Sequence, residues 1–250
     1  MPEFVKFLAF DTSTDRMSVA LTDGVRVWQH AGPGGAQAST TLIPAILALL
    51  AESGIGLGEL DAIAFGRGPG SFTGLRTACS VAQGLAFGAN HGAGIPVLPI
   101  DTLMAVAEEA RFEHAGTMAV TGAPLIITAL LDARMDEIYQ KSYEFSSESC
   151  SPINGCSLVR PENLVIDAST GLLAGNMFGV YAGRLPATLD ALRRVEAFPT
   201  ATALLRLAPM LAAAGQCVDA ALALPLYVRD KVAFTTDERA LAKAGAALTS

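Results

Sequence analysis

Gly66-Arg67-Gly68-Pro69-Gly70-Ser71-Phe72-Thr73-Gly74-Leu75-Arg76 sets four glycines and a proline against the start of a helical pattern. The residues before it, Asp61-Ala62-Ile63-Ala64-Phe65, read as a short buried strand. After it, Ser71 is placed to cap a helix running to about Phe87. Glycine is needed where the backbone turns left-handed or where two backbones come close. Gly66, Arg67, Gly68, Pro69, Gly70, Ser71 and Gly74 therefore read as a tightly specified structural loop. A strand, a glycine loop and a helix N-terminus also make an anion cradle. The spacing fits neither common cradle, because no glycine stands three residues after Gly68 and no lysine takes the P-loop position. Chemistry alone leaves the turn and the anion site both open.

The whole chain sets the frame for this junction. It has 250 residues, 51% of them hydrophobic, enough for one large domain or two lobes. The formal charge is −7, with no lysine or arginine cluster, which disfavours strong RNA binding by this chain alone. Cys79, Cys150, Cys156 and Cys217 lack CxxC spacing, and His30, His91 and His114 lack HxxxH spacing. No metal site is expected from either set. The most apolar run, Leu42 to Ala51, is short for a bilayer and contains Pro44. Met1-Pro2-Glu3-Phe4 lacks a basic leader pattern, so a cytoplasmic protein is expected.

Along the chain, Lys6–Phe10, Met17–Thr22 and Val25–His30 read as strands, the last two joined by a turn at Asp23-Gly24. Gly32 to Gly35 reads as a loop. Ser39–Ser53 reads as a helix apolar nearly all round, with Leu42, Ile46 and Leu49 on one stripe and Ile43, Leu47 and Leu50 on an adjacent one. On the helix after the glycine loop, Phe72, Leu75, Cys79, Ala82 and Ala86 recur at helical spacing, with Arg76 and Gln83 on another side. Each stripe is either ordinary core or a subunit interface. Val97–Ile100 and Leu125–Leu131 read as strands, with Thr102–Glu113 a helix between them. Ile138–Phe145, Val165-Ile166 and Leu172–Ala174 are further strand candidates; Ser146–Gly155 reads as a polar loop and Ala201–Ala214 as a helix. A lobe boundary is expected over 114–124, giving lobes 1–113 and 114–250, with the last segment packing back and a frayed tail from about 237. Each lobe opens with a strand ending in aspartate and a turn: Phe10-Asp11-Thr12 and Leu131-Asp132-Ala133.

That duplicated pattern is the architecture of the actin-like ATPases. With Asp11-Thr12-Ser13, the glycine run, Gln83-Gly84-Leu85-Ala86, Asp132-Ala133-Arg134, Glu137-Ile138-Tyr139 and Pro225-Leu226-Tyr227-Val228-Arg229, the chain resembles the bacterial TsaB family, formerly YeaZ. The resemblance covers about Val5 to Ala233 and is weakest over Glu148 to Arg194. It implies an α/β, two-lobed actin-like (ribonuclease H-like) fold, with duplicated mixed sheets flanked by helices. It also implies a supporting role: partner and scaffold of TsaD, which threonylcarbamoylates N6 of the adenosine 3′ of the anticodon in tRNAs reading A-starting codons. TsaE would join in the complex, and tRNA would be met only through it. Helices Ser39–Ser53 and Ser71–Phe87 would form the partner contact, or a homodimer when the chain is alone. Leu42, Ile46, Leu49, Phe72, Leu75, Arg76, Cys79, Ala82, Gln83 and Ala86 are its expected residues. A charge introduced by Ala82→Glu would disrupt it.

Asp11, Thr12, Ser13, Asp132, Arg134 and Gly175 match the positions of a nucleotide site, here a vestigial one, with ATP or ADP and Mg expected in the complex. No catalytic residue and no metal ligand is expected. For the aspartates, a structural role, hydrogen-bonding the turn amides after each strand, is favoured over nucleotide duty. Two competing readings remain. In an active actin-like ATPase or small-molecule kinase, Asp11 would position the Mg-bound water or nucleophile and Asp132 the metal-bound phosphate. A metallopeptidase would need a zinc motif that is missing. Two departures from many relatives stand out. Ala38-Ser39 replaces a His-Ser pair, and Met177 stands where a small residue is usual and would crowd an adenosine.

Overall fold

A computed structural model describes residues 5–114, 124–146 and 149–229. The first sheet comprises β1 (Phe7–Asp11), β2 (Arg16–Thr22), β3 (Val27–Pro33), β4 (Ala62–Gly68) and β5 (Val97–Asp101), in the order β3-β2-β1-β4-β5. The β1–β2 and β2–β3 pairs are antiparallel; β1–β4 and β4–β5 are parallel. β3 starts two residues later than the sequence pattern indicates and continues through Gly32 to Pro33. Asp23 Oδ1 accepts the Val25 and Arg26 amides, which keeps those residues in the turn. Pro33 is tolerated because β3 is an edge strand, where its missing N–H costs no ladder bond.

Alternation along the central strands divides the core between the two faces of this sheet. Leu8, Phe10, Val19, Leu21, Ile63 and Phe65 meet α1 (Ala38–Ser53) and α2 (Phe72–Gly88) on one face. On the other, Phe7 and the small residues Ala9, Ala20, Ala62 and Ala64 belong to a core shared with α3 (Thr102–His114) and α4 (Ala201–Ala213). Alanines there let α4 lie close on β1 and β2.

The second sheet contains β6 (Leu125–Arg134), β7 (Glu137–Phe145), β8 (Cys150–Pro152), β10 (Leu172–Gly175) and β11 (Arg194–Glu196) in the order β11-β10-β6-β7-β8, with β9 (Ser157–Val159) also on β7. β8 lies inside the stretch read as a polar loop, and Val165-Ile166 forms no strand. The same core that holds α3 and α4 includes Ile127, Ala129, Leu131 and Tyr143 of this sheet, so both helices lie between the sheets. An ionic network joins them. Arg206 bonds Glu108 at 2.8 Å and Glu109 at 2.5 Å, and Thr200, the N-cap of α4, donates to Glu109 at 2.6 Å. The segment 114–124 includes residues outside the described ones, as does the tail from 237.

Gly35–Ser53 is, by length and composition, long and apolar enough to cross a bilayer, longer than the run Leu42–Ala51 marked in the sequence. Its inner side is committed to the first sheet through Leu42, Ala45, Ile46 and Leu49.

Candidate functional site

The glycine loop closes against the first-lobe turn. A Cβ at Gly66 would lie 1.7 Å from Asp11 Oδ2, and one at Gly74 would lie 1.8 Å from the Thr12 carbonyl oxygen. Only glycine permits that approach. Ser71 N–H donates to the Ser13 carbonyl at 2.7 Å, and Thr12 Oγ1 donates to the Gly74 carbonyl at 2.7 Å. Gly70 also abuts the Ser13 backbone, whereas Gly68 faces the Leu226 carbonyl. Ser71 stands at the N-cap as the sequence indicates, but its hydroxyl makes no capping bond. The loop backbone thus packs on residues 12 and 13, while Gly70, Ser71 and Phe72 at the start of α2 line the cleft between the lobes. Arg67 bonds Asp101 Oδ1 at 2.7 Å, while Lys141 of β7 bonds Asp101 Oδ2 at 2.5 Å. This triad ties the two sheets together and holds the Asp101 carboxyl below its ordinary value against the cost of its burial.

Asp11 is 0% exposed. Its Oδ1 accepts Ser13 N at 2.8 Å and Ser13 Oγ at 2.6 Å, and Thr102 Oγ1 approaches Oδ2 at 3.5 Å. Burial pushes its pKa up to about 6, with those bonds pulling the other way. A carboxylate sealed in this way does not fit the task of positioning a Mg-bound water or nucleophile.

Asp132 has a different setting. It lines a cleft of about 470 Å³ between the lobes, together with Ser13, Asp15, Phe72, Arg134, Asn176 and Tyr227. Asp132 Oδ1 accepts the Arg134 amide at 2.9 Å and the Tyr181 hydroxyl at 2.8 Å, while Asn176 Oδ1 accepts the Asp132 amide at 2.9 Å. Burial first, then the bond to Asp132, pushes the Tyr181 phenol up to about 12. Gly175 sets its α-carbon against the Leu130 carbonyl, leaving Asn176 to face the cleft. Met177 is fully buried in the second-lobe core with Leu130, Leu173 and Tyr181, so it does not crowd the cleft. Ala38 is likewise buried, at the start of α1.

The helix residues expected at a partner contact divide into two groups. Leu42, Ile46, Leu49, Leu75, Cys79, Ala82 and Ala86 are at most 4% exposed and are occupied within the chain. All but Leu75 lie in the core cluster between helices and sheet, so Ala82→Glu would put a charge into that core rather than onto a surface. Phe72 and Gln83 are half-buried and Arg76 is exposed. The outward face carries residues outside the expected contact set. Ile43, Leu47 and Phe87 are exposed apolar side chains, with Thr40, Thr73, Ser80 and Gly84 also exposed. A shallow groove on α2 is lined by Phe72, Thr73, Arg76, Thr77, Ser80 and Val81.

The C-terminal segment Pro225–Arg229 lies across these features. Leu226 N–H donates to the Arg67 carbonyl at 2.7 Å, and Arg76 Nε donates to Tyr227 Oη at 3.1 Å. Tyr227 packs on Phe72 with ring centres 5.1 Å apart.

The family model for TsaD, tRNA N6-adenosine threonylcarbamoyltransferase, matches residues 33–244. The Escherichia coli protein named tRNA threonylcarbamoyladenosine biosynthesis protein TsaB is 31% identical over 241 residues, 92% of this chain and 97% of that protein. The chain belongs to the TsaB/YeaZ family. A Haemophilus influenzae protein of the same name is 45% identical over 134 residues, a match covering 53% of this chain and about half (51%) of that relative. The solved structure of YeaZ from Pseudomonas aeruginosa superposes with a TM-score of 0.76 at 36% identity, covering 89% of this chain and 99% of that one. The family fold, two mixed sheets flanked by helices in the actin-like, ribonuclease H-like arrangement, is the one described above.

Proposed function

We propose that this chain acts in tRNA threonylcarbamoyladenosine biosynthesis as the non-catalytic partner and scaffold of a TsaD subunit, with TsaE joining the complex. One observation carries the reading. The outward face of α1 and α2 sets exposed Ile43, Leu47 and Phe87 among small residues such as Thr40, Thr73, Ser80 and Gly84, with Arg76 as its charged member. An apolar face of this kind favours a protein partner. In this reading α1 and α2 dock the transferase subunit, and a second copy of the chain takes the same face when the subunit is missing. Phe72, Arg76 and Gln83 remain from the sequence-derived set as contact residues; Ile43, Leu47 and Phe87 replace its buried members. The sealed Asp11 supports a role without chemistry of its own. The charge of −7 supports contact with tRNA only through the assembled complex. The same reading treats 1–113 and 114–250 as the two lobes and places the protein in the cytoplasm.

The test is size-exclusion chromatography with light scattering on the chain, the TsaD subunit from the same source, and their mixture. A stable mixed complex at micromolar concentration is expected, and Leu47→Glu should dissolve it while circular dichroism stays unchanged. Two unshifted peaks in every nucleotide condition would overturn the proposal.

A further inference from the structure

The groove on α2 and the inter-lobe cleft share one side chain, Phe72, and Tyr227 stacks against it. Arg76 also lies over the Phe72 ring, 3.8 Å from its centre, while bonding Tyr227 Oη. Two residues further along, Arg229 reaches the opposite wall of the cleft. Its Nη2 donates to the Ala133 carbonyl at 3.2 Å and the Arg134 carbonyl at 3.3 Å, and pairs with the Glu137 carboxylate. Its Nη1 approaches Met135 Sδ at 3.0 Å. The turn so held is unusual. Arg134, Met135 and Asp136 are consecutive left-handed residues, with φ of 60°, 55° and 60°. Non-glycine residues sit there only where neighbours over-determine them. The Arg229 guanidinium is one such neighbour; Arg184 on Asp136 (2.5 Å) and Asp132 on the Arg134 amide are others. This turn carries Asp132 and Arg134 into the cleft.

We infer that Pro225–Arg229 is a tie that couples the outward face of α2 to the β6–β7 turn, with Tyr227 and Arg229 as its positioning residues. A protein docked on α2 contacts Phe72 and Arg76, fixes Tyr227, and through Arg229 stiffens the turn that forms the far wall of the cleft. The coupling rests on the reading of α2 as a docking face, but the tie itself belongs to the chain alone. Its two ends engage different lobes, and a strained turn relaxes when its grip is loosened, which gives the coupled element two states.

Hydrogen exchange read by mass spectrometry on the full chain tests this. Tyr227 is 45% exposed, so Tyr227→Ala leaves the fold intact. Alone, both Tyr227→Ala and Arg229→Ala are expected to speed exchange at amides 133–137 about tenfold, with amides of α1 unchanged. The double variant should exceed either single variant by less than twofold. An unchanged turn in Tyr227→Ala would overturn the tie, as would equal acceleration throughout the molecule. In the second arm the TsaD subunit is added at a concentration where light scattering shows the complex. Exchange at 133–137 should slow at least fivefold in the wild type and less than twofold in Arg229→Ala. A complex that leaves the wild-type turn unchanged overturns the coupling. If no complex forms, the docking reading fails instead, and the single-chain arm still decides the tie.

Discussion

Asp11 ends β1 and Asp132 stands two residues before the end of β6, and both accept a backbone amide two residues on. They differ in what closes over them. Gly66 and the Ser13 hydroxyl seal Asp11 from solvent, whereas Asp132 stands in the cleft wall beside Asn176, Tyr181 and Arg134. The same residue in a repeated pattern is therefore sealed in the interior in one lobe and part-buried in the cleft wall in the other. A motif position fixes the local turn. The packing above it fixes whether the carboxylate is available to a ligand.

The largest effect on this contrast is expected from opening the seal. In Gly66→Ala the new methyl would lie 1.7 Å from Asp11 Oδ2, and Ser13 holds the other carboxylate oxygen. A loss of about 3 kcal/mol or more is expected in urea denaturation. A loss under 1 kcal/mol would mean that the turn is loosely packed.

Asp11→Asn reads the same seal by pH. Burial raises the folded-state pKa from 3.8 to about 6, so the folded protein binds the proton more tightly than the unfolded chain. The contribution is complete below pH 3.8 and is lost as pH rises through about 6. A shift of this size corresponds to about 3 kcal/mol. Asparagine keeps an acceptor for Ser13 and does not titrate. Between pH 4 and 7.5 the variant should therefore gain about 2 to 3 kcal/mol on the wild type, and a pH-independent difference would contradict the sealed site.

The smallest effect belongs to the part-buried aspartate of the cleft wall. Asp132→Ala removes the acceptor of the Tyr181 hydroxyl and the Arg134 amide, at the edge of the cleft. About 1 kcal/mol should be lost in thermal or urea unfolding. A loss as large as that of Gly66→Ala would erase the distinction between the two aspartates.

Much of the first lobe was legible in the sequence because its signals are local. The apolar run of β1, the Asp23-Gly24 turn and the strand–glycine–helix junction each lie within a dozen residues. The stripe Leu75, Cys79, Ala82, Ala86 was also legible, but periodicity gives a buried face without naming what buries it. Here the first lobe's own core does, and the outward face falls to residues of mixed character such as Leu47 and Ser80. The contacts between distant strands and loops were less visible. Arg67, Asp101 and Lys141 meet from three separate strands, and Asn176 and Tyr181 reach Asp132 from 44 and 49 residues away. Pro225–Arg229 carried a family signature but no periodicity, so its course across the cleft had no sequence signal. The short edge strand β8, with two exposed residues of three, looked like the loop around it.

In the proposed role the chain contributes a surface rather than a reacting group. The most direct test of that role is reconstituted threonylcarbamoylation of tRNA with the TsaD and TsaE subunits, comparing Asp11→Asn with Leu47→Glu. Asp11→Asn is expected to support modification within about twofold of the wild type, while Leu47→Glu is expected to reduce it to the level seen without this chain. Loss of modification in Asp11→Asn, with the complex intact and Leu47→Glu fully active, would contradict that role.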